Sequence, residues 1–369
     1  MKKIERVIIS GGGTGGHIFP AIAIANEIKA QNPDVAITFV GAEGKMEMEK
    51  VPAAGYSIIG LPIVGFQRKL TLSNFILPFK LLKSLWKARS IIKRLKPQVV
   101  IGVGGYASGP TLKMAQQLGV STVIQEQNSF PGKTNRLLAK KVVRVCTAYQ
   151  GLDNVFPADK IRLTGNPVRS ELASISIDKA TAFSFFEGLD ASKKTILVIG
   201  GSLGARTLNE AVQFSLQAMT DAGYQIIWQC GKFYHNQMRA FLDEKPYEGV
   251  YLCDFIARMD AAYTAADCIV SRAGALSISE LCLIGKPTVL VPSPNVSEDH
   301  QTKNAMALVA NDAALLVTDA VAKNTLFDEV MTMLNNEERS NQLAQNCKKM
   351  GLPNATKDIV KIITEIVNK

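Results

Sequence analysis

The sequence holds no C-x-x-C pair and only three histidines, so none of the usual spacings of a zinc site is present. Its six cysteines (Cys146, Cys230, Cys253, Cys268, Cys282, Cys347) are scattered singly, and five fall in stretches that read as strands or helices. Free thiols in such places behave as small buried hydrophobes, which points to a reducing compartment. No apolar run reaches about 18 residues, so no helix is expected to span a bilayer. The N-terminal MKKIERVIISGGG meets glycine after too short an apolar run for a signal peptide and reads as a first strand.

Acid is nearly missing from one long stretch. Between Glu49 and Asp153 the only acidic residue is Glu126, against sixteen lysines and arginines, more positive charge than the +10 of the whole chain. A basic face of that size suits an acidic partner such as nucleic acid, anionic lipid or polyphosphate. A merely solvated face is the plain alternative. No recognition-helix or stacking-platform motif accompanies the charge, so nucleic acid is not expected as a partner.

What is present is an alternation. With 369 residues, 47% hydrophobic and 20% charged, the chain has room for two globular domains. Short β-branched runs at Arg6–Ser10, Ala36–Gly41, Ser57–Leu61, Gln98–Gly102, Thr122–Gln125 and Val142–Cys146 alternate with helical patterns. A second series follows at Thr195–Ile199, Gln225–Gln229, Val250–Cys253, Cys268–Ser271, Thr288–Val291 and Ala314–Val317. Near-continuous apolar strands between helices argue for an α/β fold, with parallel sheets covered on both faces. The order repeats in two halves, which predicts tandem Rossmann-like domains over 1–165 and 166–350, joined near Thr164–Arg169. A last helix within 351–369 is expected to pack back on the N-terminal domain.

Three glycine-rich turns join strands to helices: Gly11–Gly16, Gly102–Gly109 and Gly200–Gly204. Glycine lets backbone approach a ligand without Cβ clashes, and a helix opening aims N–H groups at an anion. Gly11, Gly13 and Gly16 also satisfy G-x-G-x-x-G, with Glu43 as a candidate ribose acid, so a nicotinamide or flavin enzyme is one reading. Glu43 comes later than that fingerprint requires, and the second half repeats the glycine turn instead of supplying a catalytic domain. The P-loop pattern fails as well. Two sheets with glycine turns at their carboxyl ends would suit two phosphate-bearing substrates; glycines serving only tight turns are the plain alternative.

The motifs then become specific. Gly11-Gly12-Gly13-Thr14-Gly15-Gly16-His17-Ile18-Phe19-Pro20, GGYASGP at Gly104–Pro110, GNPVR at Gly165–Arg169, GGSLGAR at Gly200–Arg206 and SRAGALSISE at Ser271–Glu280 occur in that order. Together they closely resemble the MurG family of N-acetylglucosaminyltransferases, over nearly the whole chain. The resemblance implies a GT-B architecture, two Rossmann-like domains with sheets facing a central cleft, and an inverting mechanism without a cofactor. It implies UDP-N-acetylglucosamine as donor and undecaprenyl-diphospho-N-acetylmuramoyl-pentapeptide as acceptor, in peptidoglycan synthesis at the cytoplasmic face of the bacterial inner membrane. Carried over by position, Thr14, Gly15, Gly16 and Asn128 would approach the donor sugar and acceptor. Arg169 and Ser202 would hold the donor diphosphate, and Ile256 would meet the uracil through its backbone. The N–H groups of Ala275, Leu276, Ser277, Ile278 and Ser279 would receive phosphate while Glu280 accepts the ribose hydroxyls; Gln301 would read the transferred sugar. Gly13, Gly104, Gly105 and Tyr106 would face the lipid diphosphate. Two positions depart from the family: Gln125 stands where a histidine is usual, which weakens any mechanism needing one there, and Leu203 fills a variable site.

Sugar transfer from a nucleotide diphosphate passes through an oxocarbenium-like state while charge grows on the departing diphosphate. The chain has no Asp-x-Asp pair to hold a metal there, so helix ends and Arg169 are expected to carry that charge without one. For the base, His17 at the first helix opening is preferred over Glu126, the single acid at a strand end. A loop-bracing hydrogen bond for His17 and a salt bridge for Glu126 are the plain alternatives. Along Asn74–Lys96, Pro78 is expected in a first helical turn, and Leu81, Leu85, Ala88, Ile92 and Leu95 form a stripe facing the sheet. Phe75, Phe79, Leu82 and Trp86 form a second strip, with Lys80, Lys83, Lys87 and Arg94 beyond it and Phe66, Arg68 and Lys69 upstream. Aromatics beside lysines suit an anionic membrane surface; burial of both strips is the alternative. A UDP-hexosamine epimerase shares this architecture but needs no such strip, and a non-catalytic sugar-nucleotide-binding scaffold would not need the candidate base.

Overall fold

The computed structural model describes residues 3–63, 73–168, 172, 175–201 and 203–369, with backbone alone for 73–77. The chain divides into two compact units, Met1–Val168 with Leu352–Lys369, and Arg169–Gly351.

The first unit is built on β1 (Arg6–Ser10), β2 (Ala36–Ala42), β3 (Ser57–Leu61), β4 (Val99–Gly102), β5 (Ser121–Glu126), β6 (Arg144–Thr147) and β7 (Ile161–Leu163). These pair in the order β3-β2-β1-β4-β5-β6-β7, every pairing parallel. The central strands are buried along nearly their full length, which is why they read as continuous apolar runs. β7 was not expected from the sequence: it is a three-residue edge strand with two exposed residues, so no apolar run announces it.

The second unit repeats the plan with β8 (Thr195–Ile199), β9 (Gln225–Gln229), β10 (Val250–Cys253), β11 (Cys268–Ser271), β12 (Thr288–Leu290) and β13 (Leu315–Leu316). Their order is β10-β9-β8-β11-β12-β13, again all parallel. In both sheets the winding reverses beside the first strand, between β1 and β4 and between β8 and β11. Such switch points leave a crevice at the carboxyl ends of the strands where ligands bind. The glycine turns lie at these ends.

The chain returns to the first unit for its last helix, Ala355–Val367. Ile359, Val360, Ile363 and Val367 pack into the core formed by Ile24, Ile28, Val7 and Ile101, while Lys357 and Asp358 face solvent. Gly165, at φ +88°, lies so close to Leu352 that a Cβ there would stand 2.7 Å from the leucine Cβ. Outgoing and returning segments therefore lie side by side within the first unit.

The helix Ser73–Leu95 differs from expectation in two ways. It starts early enough that Pro78 lies inside it and not in its first turn, removing one helical N–H donor. Its buried face consists of Ser84, Ala88, Ile91 and Ile92, with Leu85 and Leu95 half-buried, whereas Leu81 is exposed. The sheet-facing stripe begins one turn later than the leucine pattern suggested, because Ser84 occupies its first buried position.

Ile363→Ala should lower unfolding stability by about 2–5 kcal/mol, the range for emptying a packed aliphatic site, and Lys357→Ala by less than about 0.5 kcal/mol. Denaturant unfolding of the two variants measures this difference.

Candidate functional site

In the first unit the turns after β1 and β4 touch backbone to backbone. A Cβ on Gly105 would lie 2.3 Å from the Gly12 carbonyl oxygen, and one on Gly11 would lie 2.2 Å from Val103 Cγ2. Gly12, Gly13, Gly104 and Gly105 all have φ between +85° and +147°, a conformation that favours glycine, and at Gly12, Gly104 and Gly105 the space demands it as well. The His17 imidazole lies against Gly104, where a Cβ would come within 2.6 Å of the ring, and its Nδ1 is 3.1 Å from Thr14 Oγ1. Tyr106, next in the second turn, is half exposed.

A residue that sequence reasoning passed over fills this turn. Glu47, at the start of the helix Glu47–Ala53, is only 1% exposed. Its Oε2 accepts from the Gly13 N–H at 2.8 Å and its Oε1 from the Ala42 N–H at 3.0 Å. The Gly13 N–H, in the turn expected to face the lipid diphosphate, thus serves a carboxylate of the protein. Glu43, the candidate ribose acid, is held by Lys87 at 2.9 Å.

Glu126, at the end of β5, is buried and meets four N–H donors instead of a cation. Oε1 accepts from the Asn128 N–H at 3.1 Å and from its side-chain amide at 3.4 Å; Oε2 accepts from the Gly132 N–H at 3.1 Å and Asn135 Nδ2 at 2.8 Å. Burial pushes this carboxyl up from its ordinary value while the four donors pull it back. Such a carboxylate braces the loop 127–132, and Asn128 is partly committed to it. Gln125, standing at the family's histidine position, is fully buried and donates to Asn166 Oδ1 at 2.8 Å; Asn166 in turn donates to the Gln127 carbonyl at 3.0 Å. A buried amide network thus ties the end of β5 to the junction segment, and no titrating ring is there.

In the second unit the turn after β8 packs against the one after β9. Gly204 and Gly231 have positive φ, and a Cβ on Gly204 would stand 2.3 Å from the Cys230 carbonyl oxygen. Gln229 braces this turn: Oε1 accepts from the Gly201 N–H at 3.0 Å, and Nε2 donates to the carbonyls of Gly201 and Asp254 at 2.8 and 2.9 Å. Ser202 and Arg169 lie outside the described residues.

After β11 the helix Ala275–Ile284 opens at Gly274, which brings no side chain to cap it. Ile278 N–H donates to the Gly274 carbonyl at 2.9 Å, closing the first helical turn, and its side chain is buried. The Ile278 N–H is thus engaged within the helix; Ser279 and Glu280, further along, likewise follow the first turn, and Ser279 Oγ donates to the Ala275 carbonyl. Ala275, Leu276 and Ser277 are the positions whose N–H groups point out of a helix end. Glu280 accepts from the Tyr263 hydroxyl at 3.1 Å. Ile256 is buried, and Gln301 Oε1 accepts from the Ser293 N–H at 2.8 Å, fixing the loop after β12.

The N-terminal domain model of glycosyltransferase family 28 matches residues 7–147, and the C-terminal domain model matches residues 195–359. This chain belongs to glycosyltransferase family 28. A protein of Parabacteroides distasonis is 53% identical over 366 residues, covering 99% of both chains. One of Phocaeicola vulgatus is 54% identical, covering 100% of this chain and 98% of its own. Both are named UDP-N-acetylglucosamine–N-acetylmuramyl-(pentapeptide) pyrophosphoryl-undecaprenol N-acetylglucosamine transferase. The crystal structure of Acinetobacter baumannii MurG superposes with a TM-score of 0.80 at 31% identity, covering 98% of this chain and 99% of that one. A UDP-GlcNAc 2-epimerase of Neisseria meningitidis shares the fold, with a TM-score of 0.65 at 15% identity over 98% of this chain and all of its own.

With family 28 membership and two parallel Rossmann-like sheets, the fold is GT-B. Outside the turns, the helix Ser73–Leu95 exposes Phe79, Leu82 and Trp86 at 73%, 55% and 78%, joined by Leu81 at 42%. Lys83 is exposed and Lys80 half-buried, while Lys87 is drawn into its pair with Glu43. The side chain of Phe75 and residues Phe66, Arg68 and Lys69 lie outside what is described. Among the described residues no helix is long and apolar enough to cross a membrane, and no three His, Cys, Asp or Glu side chains are grouped to hold a metal. Burial pushes the Cys146 and Cys253 thiols up to about 12 and Cys230 up to about 11, which leaves these three poor nucleophiles.

Gly105→Ala should lose roughly 1–3 kcal/mol more stability than Gly119→Ala. Both sites have positive φ, but only the first meets another backbone, and overpacking carries that extra cost. Equal losses in parallel denaturation curves would contradict the close approach of the two turns.

Proposed function

We propose that the chain is an inverting, metal-independent transferase moving N-acetylglucosamine from UDP-N-acetylglucosamine to the C4 hydroxyl of undecaprenyl-diphospho-N-acetylmuramoyl-pentapeptide, a step of peptidoglycan synthesis. The observation carrying the donor side is the helix opening at Gly274, at the switch point of a family 28 C-terminal domain. The N–H groups of Ala275, Leu276 and Ser277 take the diphosphate there, helped by Arg169 and Ser202. Their fixed positive potential stabilises the charge that develops as UDP leaves. Glu280 accepts the ribose hydroxyls, the backbone at Ile256 meets the uracil, and Gln301 faces the sugar.

The acceptor lies against the first unit, near Thr14, Gly15, Gly16 and the second turn at Gly104-Gly105-Tyr106. His17 takes the proton of the attacking hydroxyl. This role takes the tautomer whose Nδ1 proton is directed to Thr14 Oγ1, 3.1 Å away, which leaves the lone pair on Nε2. Attack from the face opposite the departing UDP inverts the anomeric carbon. Glu126, whose oxygens are engaged by four N–H donors, keeps the loop 127–132 in shape and leaves the proton to His17.

The exposed strip Phe79, Leu81, Leu82 and Trp86, with Lys80 and Lys83, rests on the anionic cytoplasmic surface of the inner membrane, where the lipid acceptor resides. Binding to anionic vesicles should fall as salt rises, and Trp86→Ser with Phe79→Ser should abolish flotation without changing turnover on a short-chain soluble acceptor.

Incubation with UDP-N-acetylglucosamine and a lipid-diphosphate acceptor analogue should yield a β-linked disaccharide and UDP, also in EDTA; an α-linkage, or turnover restored only by magnesium, would contradict the mechanism. His17→Ala should reduce turnover by roughly 10²–10⁴-fold with UDP affinity unchanged, the usual effect of removing a general base.

A further inference from the structure

The glycine turn after the first strand of each unit is braced by a side chain at or beyond the end of the neighbouring strand, and the two braces differ in charge. In the second unit the brace is the neutral amide of Gln229, at the end of β9 beside β8. In the first it is the carboxylate of Glu47, just beyond β2 beside β1. Each Glu47 oxygen takes one backbone N–H, from Gly13 in the turn and from Ala42 at the end of β2. Two further glycines make room for it. A Cβ on Gly12 would stand 2.2 Å from the carboxyl carbon, and one on Gly41 would stand 2.6 Å from Glu47 Cγ. Among the described residues no lysine or arginine forms an ion pair with Glu47.

We propose that Glu47 is a built-in anion of the first glycine turn: a positioning residue for Thr14 and His17 whose charge keeps the acceptor's diphosphate off Gly12 and Gly13. A phosphate there would need the N–H that Glu47 holds at 2.8 Å, and would lie beside a like charge. The turn therefore takes the uncharged part of the acceptor, the sugar with its hydroxyl, and the diphosphate lies elsewhere. The Gly200–Gly204 turn of the second unit is braced by an amide, which brings no such charge, and the donor diphosphate is assigned to that side. The assignment of sides rests on the transferase reading above; the brace itself does not.

The test labels the wild-type protein with ¹³C and ¹⁵N, assigns the Gly13 amide by triple-resonance spectroscopy, and titrates inorganic pyrophosphate. The Gly13 amide should stay in place; a saturable shift would overturn the proposal. Glu47→Gln retains the shape but must set an NH2 group against one of the two donors. It should lower kcat roughly tenfold to a hundredfold, the usual consequence of slightly misplaced groups, with KM for UDP-N-acetylglucosamine within about twofold. Unchanged kcat in a folded Glu47→Gln would equally overturn it. Because the wild-type titration requires no variant to fold, and calorimetry with UDP-N-acetylglucosamine separately tests the transferase reading, failure of either is distinguishable from failure of the other.

Discussion

Two stretches of backbone can touch only where neither carries a side chain, and the candidate site depends on that constraint. At the carboxyl end of the first sheet, Gly12 and Gly105 meet in this way; in the second sheet Gly204 and Gly231 do. The positive φ values at these positions make glycine necessary for conformation as well as for space. The place of the His17 ring follows from it, since the ring occupies the volume a side chain at Gly104 would fill. Glycine here is first a packing device between neighbouring turns. Only what remains open afterwards can serve a ligand.

What remains open differs between the units because their braces differ. A carboxylate closes the first turn from within, and an amide supports the second. The helix opening at Gly274 adds positive potential to the second unit. The two halves share a topology, yet the braces of their glycine turns differ in charge; in the proposed reading the first receives the hydroxyl-bearing sugar and the second the diphosphate. Family 28 membership gives that asymmetry a use, since the departing group is charged and the attacking group is not.

The sheets and their order of elements were legible because strands buried on both faces leave apolar runs. β7 was not legible, since a three-residue edge strand with exposed side chains leaves no run. Leu81 and Pro78 misled because a leucine pattern gives the direction of a helix face but neither where the helix begins nor where the sheet contact starts. Glu47 left no signal at all. Its role comes from a contact with a glycine 34 positions away, and no local pattern separates a bracing carboxylate from a solvated one. Glu126 stood out as the lone acid of a basic stretch, but its partners are N–H groups of the following loop and of Asn135 in the next helix, not the cation of the salt-bridge alternative, because charge along the sequence does not show which donors the fold brings near.

Amide hydrogen exchange with and without UDP tests the division of labour most directly, because it reads the backbone donors themselves. The account predicts slowed exchange at Leu276 and Ser277 on binding UDP, with the amides of Gly11–Gly16 unchanged. Protection of Gly11–Gly16 by UDP, with none at the opening of the helix Ala275–Ile284, would contradict it.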